Sequence, residues 1–259
     1  MNETIVTDKR GSVGYIKLNR PSVFNSFNRE MALAVQATLD DFAADENIRA
    51  IYLTGEGKAF CAGQDLAEIT SPDAPELVKI VEDHYNPLVL RLRNIAKPIV
   101  CAVNGVAAGA GANIALACDI CVATESAAFI QAFSKIGLIP DSGGTFTLPR
   151  LIGFQKASAL MMLGDKVSAT DAEKLGMIYK VFADEEFEKS SYKIAEKLAG
   201  MPTKGLAYTK YLLNQSTTND IAEQLKLEGE YQEKAANTHD YEEGVNAFLE
   251  KRKPEFKGK

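Results

Sequence analysis

Side chains are almost absent from one stretch near the middle of the chain, and this stretch restricts what the chain can fold into. Residues 98–103 form an apolar run that predicts a buried strand, and Asn104-Gly105 predicts the turn that ends it. Residues 106–112 contain only alanine, glycine and one valine, and they lead into a helical pattern beginning around Ala112. Such a helix start exposes N–H groups that a ligand can approach closely, and these donors suit an anion or a developing oxyanion.

A second glycine-rich helix start follows at residues 137–145, and it carries one carboxylate, Asp141. Taken alone, this pattern is more typical of an aspartate that caps a helix N-terminus. The rest of the chain must position two glycine-rich helix starts and one acid.

The composition is that of an ordinary globular chain and excludes several function classes. The 259 residues are 46% hydrophobic and 25% charged, enough to bury a large core. The net charge of -6 and the lack of a basic patch argue against nucleic-acid binding. The first residues lack the basic and apolar run of a signal peptide. The pair Cys118 and Cys121 has no second cysteine pair beside it in the sequence, so we expect buried, reduced thiols in the cytoplasm. The chain has only two histidines, which excludes a His-rich metal site.

Residues 98–118 carry no charge, which is long enough to suggest a membrane helix of roughly 20 residues. The stretch nevertheless contains Asn104, Asn113 and three glycines, and it changes midway from a strand-like to a small-residue pattern. We therefore expect no membrane span.

Apolar periodicity predicts an α/β protein with a parallel sheet and right-handed crossovers. A hairpin over residues 5–18 precedes a helix capped by Asn28, and helical residues 75–94 are expected to kink or break near Pro87. The predicted strands cover residues 50–54, 99–103, 120–123 and 128–129, and strands nearly stop thereafter. Residues 1–190 are the predicted α/β core, and residues 191–259 are a helical segment for packing and trimerisation.

Six features occur in a fixed order along the chain: Asn25, residues 60–66, residues 104–112, residues 117–119, residues 137–140 and residues 243–256. Together, in this order and at this spacing, they resemble the crotonase (enoyl-CoA hydratase/isomerase) family. The resemblance implies a crotonase-like spiral of ββα units with a helical C-terminal segment, assembled as a homotrimer or a dimer of trimers. It also implies acyl-CoA thioester substrates, with no metal and no redox cofactor.

The resemblance assigns the backbone N–H groups of Ala62 and Ala110 to an oxyanion hole for the thioester carbonyl. It places the CoA moiety along Ala62, Gly63, Gln64 and Asp65. Lys251 matches a family position that can reach the CoA phosphates, although a solvated basic helix end explains it nearly as well.

The acidic residues decide which reaction the resemblance implies. Hydratases of the family use two glutamates, and Asn113 and Phe133 stand at those positions here. Neither can transfer a proton, so water addition by that mechanism is not expected. Several family members place a catalytic aspartate where Asp141 stands, and an apolar site beside Phe133 would raise its pKa. Asn113 could contact the substrate, contact Asp141 or cap its helix, and the cap is slightly favoured.

Within the family, residues 132–145 and 240–248 are most similar to the ring-1,2-epoxyphenylacetyl-CoA isomerases. We therefore expect an isomerase that forms a thioester enolate and then shifts a double bond or rearranges a ring epoxide to an oxepin. The alternatives are a hydratase-like lyase, a Δ3,Δ2-enoyl-CoA isomerase and a non-catalytic homologue that binds CoA or a partner.

Overall fold

In the computed structural model, which describes residues 4–259, the strands between residues 50 and 130 alternate along the chain between two sheets. The strands are β1 Ile5–Arg10, β2 Val13–Leu18, β3 Ala50–Gly55, β4 Ala59–Cys61, β5 Ile99–Val103, β6 Val106–Ala108, β7 Ile120–Thr124, β8 Ala128–Ile130, β9 Lys166–Ser168 and β10 Lys180–Phe182. The first sheet has the order β1-β2-β3-β5-β7-β10, and the second has the order β4-β6-β8-β9.

Helices connect these strand pairs and form the C-terminal part of the chain. They are α1 Arg29–Ala44, α2 Leu66–Ile69, α3 Leu77–Ile80, α4 Asn86–Asn94, α5 Ala110–Ala117, α6 Gly144–Ile152, α7 Phe154–Leu163, α8 Ala169–Lys174, α9 Phe187–Ala199, α10 Thr203–Gln215, α11 Ile221–Ala236 and α12 His239–Leu249. A π-helical turn, Val81–Tyr85, joins α3 to α4, and 3-10 turns cover Pro21–Val23 and Ala132–Ile136.

The topology is a spiral of ββα turns, as the resemblance predicted. Strands β3, β5 and β7 are parallel neighbours in the first sheet, while β4, β6 and β8 are parallel neighbours in the second. Each pair is followed by helices, because parallel strands need a long crossover before the chain can return. β1 and β2 form the predicted antiparallel hairpin.

Both faces of the first sheet are buried, which explains its nearly continuous apolar strands. Alternate residues of β5 belong to two hydrophobic clusters, with Cys101 and Val103 in one and Val100 and Ala102 in the other. Helices α1, α4 and α5 cover the first face, and α9 covers the second. The predicted boundary at residue 190 therefore falls inside a helix that packs against the sheet.

The uncharged stretch of residues 98–118 forms β5, β6 and α5 rather than one long helix. Within residues 4–259, no helix is both long and apolar enough to cross a membrane. The small residues of the uncharged stretch have a packing role. A side chain at Gly111 would collide with the carbonyl oxygen of Cys61 and lie 2.7 Å from the Cys61 Sγ. This contact lets α5 lie directly against β4.

Three local predictions need correction. Strands β9 and β10 were not expected, because three-residue strands leave little periodicity in the sequence. Helix α5 begins at Ala110 rather than around Ala112. The irregularity in the helical stretch of residues 75–94 is the π-helical turn that precedes Pro87.

Other local predictions are confirmed. The Asn28 side chain accepts a hydrogen bond from the Met31 N–H at the start of α1. All four cysteines are buried and free. The expectation about a signal peptide falls largely on residues 1–3, which lie outside the described residues.

The C-terminal helices are joined to the core by a buried lysine on α10. Lys210 Nζ donates to Asp119 Oδ2 at 2.8 Å and to the carbonyls of Leu92 and Lys97. Arg93 adds hydrogen bonds to Asn214 on the same helix. A buried lysine with all three donors used is compatible with the low polarity around it.

We predict that Gly111→Ala destabilises the protein by about 1–3 kcal/mol, because the added methyl group forces α5 away from β4. The matched control is Gly229→Ala in α11, where no atom lies within 4 Å of the added carbon. That change should stabilise by about 0.5–1 kcal/mol, since alanine restricts the unfolded chain more than glycine. Denaturant unfolding measures both effects, and an unchanged Gly111→Ala protein would contradict the packing argument.

Candidate active site

The segment after β4 and the first turn of α5 approach each other closely. Gly63 has a left-handed φ of +97°, and a side chain there would lie 3.0 Å from the Ala108 carbonyl oxygen and 3.6 Å from the Ala110 nitrogen. Glycine therefore serves two needs here, an unusual backbone conformation and a close backbone contact. Residues 60–66 and residues 104–112, two of the segments that carry the family resemblance, meet at this point.

The Ala62 N–H is already paired inside the protein. It donates to the Phe24 carbonyl oxygen at 3.0 Å. The prediction that Ala62 supplies an oxyanion donor is therefore corrected, because this N–H is not available to a ligand while that bond is made.

Gln64, two residues further on, has the unpaired N–H. It forms an isolated parallel bridge with Phe27, in which Phe27 N–H donates to the Gly63 carbonyl and Asp65 N–H donates to the Phe27 carbonyl. In a parallel pairing of this kind the middle residue directs its own N–H and C=O to the opposite side. The Gln64 N–H thus points away from Phe27, and no acceptor within residues 4–259 bonds to it.

Ala110 is the first residue of α5, so its N–H lies at the start of the helix. The first N–H used by the helix is that of Asn113, which donates to Gly109. No acceptor among residues 4–259 bonds to the Ala110 N–H. The helix dipole adds partial positive charge at this end, so the site suits developing negative charge.

Asp141 is a half-buried carboxyl that does not cap α6. The N-cap of that helix is Gly143, while Asp141 carries its carboxyl two residues earlier and accepts a hydrogen bond from Ser142 Oγ at 2.9 Å. Burial raises the pKa of Asp141, and the Ser142 hydrogen bond opposes part of that rise. The direction agrees with the sequence-based expectation, and it suits a group that accepts a proton.

Asn113 connects Asp141 to the first turn of α5. Its Nδ2 donates to the Asp141 backbone carbonyl at 2.8 Å, and its Oδ1 accepts from Gln131 Nε2 at 2.8 Å. The slightly favoured role as a helix cap is wrong, because Asn113 is the fourth residue of α5 and its side chain reaches across to the Asp141 segment. A side chain at Gly144 would collide with the Asn113 amide, so that glycine permits the connection.

Phe133 forms an apolar wall beside the same turn. It is buried, and its ring lies 3.8 Å from the position a side chain would take at Gly109. Gln131, which the sequence analysis missed, is buried next to it, and its Oε1 has no partner within the described part of the chain. A single polar residue between a strand and a turn left no pattern from which to predict it.

Asp65 and Lys251 have other surroundings. Asp65 caps α2 through the Ala67 N–H and pairs with Arg20 at 2.7 Å. Lys251 is exposed beyond the end of α12, and no contact within residues 4–259 joins its side chain to Asp141 or Gln64. Their predicted contacts with CoA stay predictions.

Comparisons with known proteins identify relatives over the whole chain. The family described as "Enoyl-CoA hydratase/isomerase" matches residues 8–259. The chain is 48% identical to "1,2-epoxyphenylacetyl-CoA isomerase" of Escherichia coli (strain K12) over the whole of both chains. It is 37% identical to "Trans-2-decenoyl-[acyl-carrier-protein] isomerase" of Streptococcus mutans, with 95% of each chain covered.

Solved structures show the same fold. A putative enoyl-CoA hydratase/isomerase from Mycobacterium abscessus superimposes with a TM-score of 0.93 at 34% identity, covering 98% of this chain and 100% of that one. An enoyl-CoA hydratase from Polaromonas sp. JS666 gives a TM-score of 0.92 at 32% identity, covering 97% and 99%.

We predict that Asp141→Asn raises the free energy of unfolding at about pH 7. Because burial raises the pKa of Asp141 in the folded state, folding favours the protonated carboxyl, and stability falls as the pH rises through the folded pKa. The amide carries no charge and keeps an acceptor for Ser142. The gain should disappear below the pKa of the unfolded chain, at about pH 3.

Chemical denaturation at both pH values measures this effect, with Asp165→Asn as the control because Asp165 is exposed. A variant Asp141→Asn that is less stable than the wild type at both pH values would show that the carboxylate stabilises the fold.

Proposed function

The chain belongs to the enoyl-CoA hydratase/isomerase family, and on that basis we propose that it is an acyl-CoA isomerase that works through a thioester enolate. The observation that carries the proposal is one half-buried carboxyl, Asp141, connected through Asn113 to a helix turn with an unpaired N–H. Such a site can remove a proton and stabilise the resulting negative charge.

The proposed oxyanion hole consists of the Gln64 N–H and the Ala110 N–H. The thioester carbonyl oxygen would lie between them and gain negative charge when the adjacent carbon loses a proton. The loss of one such donor typically costs about 3 kcal/mol of transition-state stabilisation.

Asp141 is the proposed base and acid. Its carboxylate takes a proton from C2, the electron pair moves into the thioester to give the enolate, and the same carboxyl returns the proton at C4. A double bond between C3 and C4 thereby moves to C2 and C3. Every atom of the substrate is kept, so one carboxyl suffices and no oxidant, reductant or metal is consumed.

Two side chains favour isomerisation over water addition. Asn113 and Phe133 stand at the positions where the hydratases carry their two glutamates, and neither can transfer a proton, so activation of water by that pair of acids is not available. The names of two relatives also describe isomerases.

For the physiological substrate we propose a ring epoxide of phenylacetyl-CoA, after the relative in E. coli. In that reaction the bond between the two epoxide carbons breaks and both C–O bonds are kept, which expands the six-membered ring to a seven-membered oxepin. Asp141 takes a proton from C2 and returns it to a ring carbon through the enolate, so no atom is gained or lost. The CoA moiety is proposed to follow Gly63, Gln64 and Asp65, with Lys251 near its phosphates.

A homotrimer, or a dimer of trimers, in the cytoplasm completes the proposal. The C-terminal helices leave large apolar side chains exposed, among them Phe248 at 83%, Ile221 at 74% and Leu249 at 72%. A surface of this kind is typical of subunit contacts. The four free, buried cysteines support a reducing compartment.

We predict that Asp141→Asn lowers two rates at least roughly a hundredfold when a 3-enoyl-CoA is incubated in D2O. They are the rate of deuterium incorporation at C2 and the rate of isomerisation. Mass spectrometry of the thioester measures both. The control Asp165→Asn should behave as the wild type.

In the wild type, kcat/KM should fall on the acidic side with an apparent pKa above the range of an ordinary aspartate, because the base must be ionised and burial raises the pKa of Asp141. Equal exchange by Asp141→Asn would remove this residue from the mechanism, and solvent oxygen in the product would indicate a hydratase.

Light scattering should give a mass three times, or six times, the 28.1 kDa of one chain. Phe248→Glu should lower that mass, since a charge in an apolar contact is costly. Leu90→Glu on α4 is the control, because Leu90 is also exposed but lies outside the C-terminal helices. A monomeric wild type would contradict the proposed assembly.

A further inference from the structure

Both ends of the Gln64 side chain are hydrogen-bonded inside the protein. Its Oε1 accepts from the Tyr85 hydroxyl at 2.7 Å, and its Nε2 donates to Glu68 Oε2 at 2.7 Å. The other Glu68 oxygen accepts from the Arg29 N–H at 2.8 Å. A glutamine on a loop is thus fixed from two sides, although its own N–H is unpaired.

Tyr85 is itself held rigidly. It is 1% exposed, and its ring packs against Phe27 with the centroids 6.1 Å apart. Burial raises the pKa of the Tyr85 hydroxyl, and the nearby acids raise it further, so the hydroxyl stays protonated and donates.

The π-helical turn that ends at Tyr85 has an identifiable cause. Pro87 has no N–H, so it cannot donate to the carbonyl of Asp83 as an α-helix would require. The Gln36 Nε2 instead donates to the carbonyls of Asp83 and His84, at 2.9 and 3.1 Å. The side chain of α1 thereby stabilises a helical register in which the Tyr85 hydroxyl reaches Gln64.

We propose that Tyr85 is a positioning residue for the oxyanion hole, because its hydroxyl fixes the Gln64 side chain and, through it, the direction of the Gln64 N–H. The inference rests on the proposed function. The peptide between Gly63 and Gln64 is held on its carbonyl side by the Phe27 N–H, and the left-handed Gly63 itself restricts it little, so the Gln64 side chain provides the second point of attachment. An oxyanion donor must lie within about 3 Å of the oxygen, and a misplacement of about 1 Å can cost roughly a hundredfold in rate.

The test compares two buried tyrosines that each lose one hydroxyl. Tyr85→Phe removes the bond to Gln64, while Tyr52→Phe removes a 2.8 Å bond to Ser191 on α9. We expect Tyr85→Phe to lower kcat for C2 proton exchange about tenfold or more, with KM nearly unchanged. Tyr52→Phe should lower the melting temperature about as much as Tyr85→Phe does, but it should leave kcat unchanged.

A double-mutant cycle shows whether Tyr85 acts through Gln64. Gln64→Leu removes the side-chain acceptor but keeps the backbone N–H, so it should reproduce the effect of Tyr85→Phe, and the double variant should be no slower than either single variant. Independent, multiplying effects would overturn the inference, as would a Tyr85→Phe enzyme with the wild-type kcat.

Nitrogen-15 relaxation of the Gln64 amide gives a second measurement that needs no turnover. Its order parameter should fall in Tyr85→Phe and stay unchanged in Tyr52→Phe. An unchanged order parameter in Tyr85→Phe would refute the positioning role. A wild type that exchanges no thioester proton would instead refute the proposed function, and the two failures are therefore distinguishable.

Discussion

The contact between Gly111 and Cys61 brings the first turn of α5 against the end of β4, and the candidate site depends on it. No residue with a side chain fits at that point without moving a backbone. Because the two segments lie so close, the unpaired N–H of Ala110 lies beside the turn that carries Gln64. Buried backbone donors are nearly always paired, so the unpaired N–H of the buried Ala110, next to the partly exposed turn with the unpaired Gln64 N–H, indicates a place for a ligand.

The acid at this site is held at a cost to stability. Burial raises the pKa of Asp141, so the charged form needed for proton removal is the form that the fold disfavours. Asn113 fixes the Asp141 backbone without supplying a counter-charge, since an amide cannot ionise. A nearby cation would have lowered the pKa and made the carboxylate a weaker base.

The sequence allowed much of the fold to be predicted, because its main elements have strong local patterns. The cap at Asn28 and the strand β5 were predicted closely, since each combines an apolar pattern with a clear boundary. The strands β9 and β10 were missed because three residues give no periodicity, and they form only by pairing with β8 and β7. The π-helical turn before Pro87 also needed a side chain from α1 that is distant in sequence.

The sequence alone singled out two glycine-rich helix starts and one acid as the candidate site, because small residues and a helix start are local properties of the chain. Only the tertiary structure decided which N–H groups remain unpaired. Ala62 and Gln64 are close neighbours, yet one is bonded to Phe24 and the other is directed away from Phe27. Hydrogen bonding between distant segments makes that choice, and no local pattern records it.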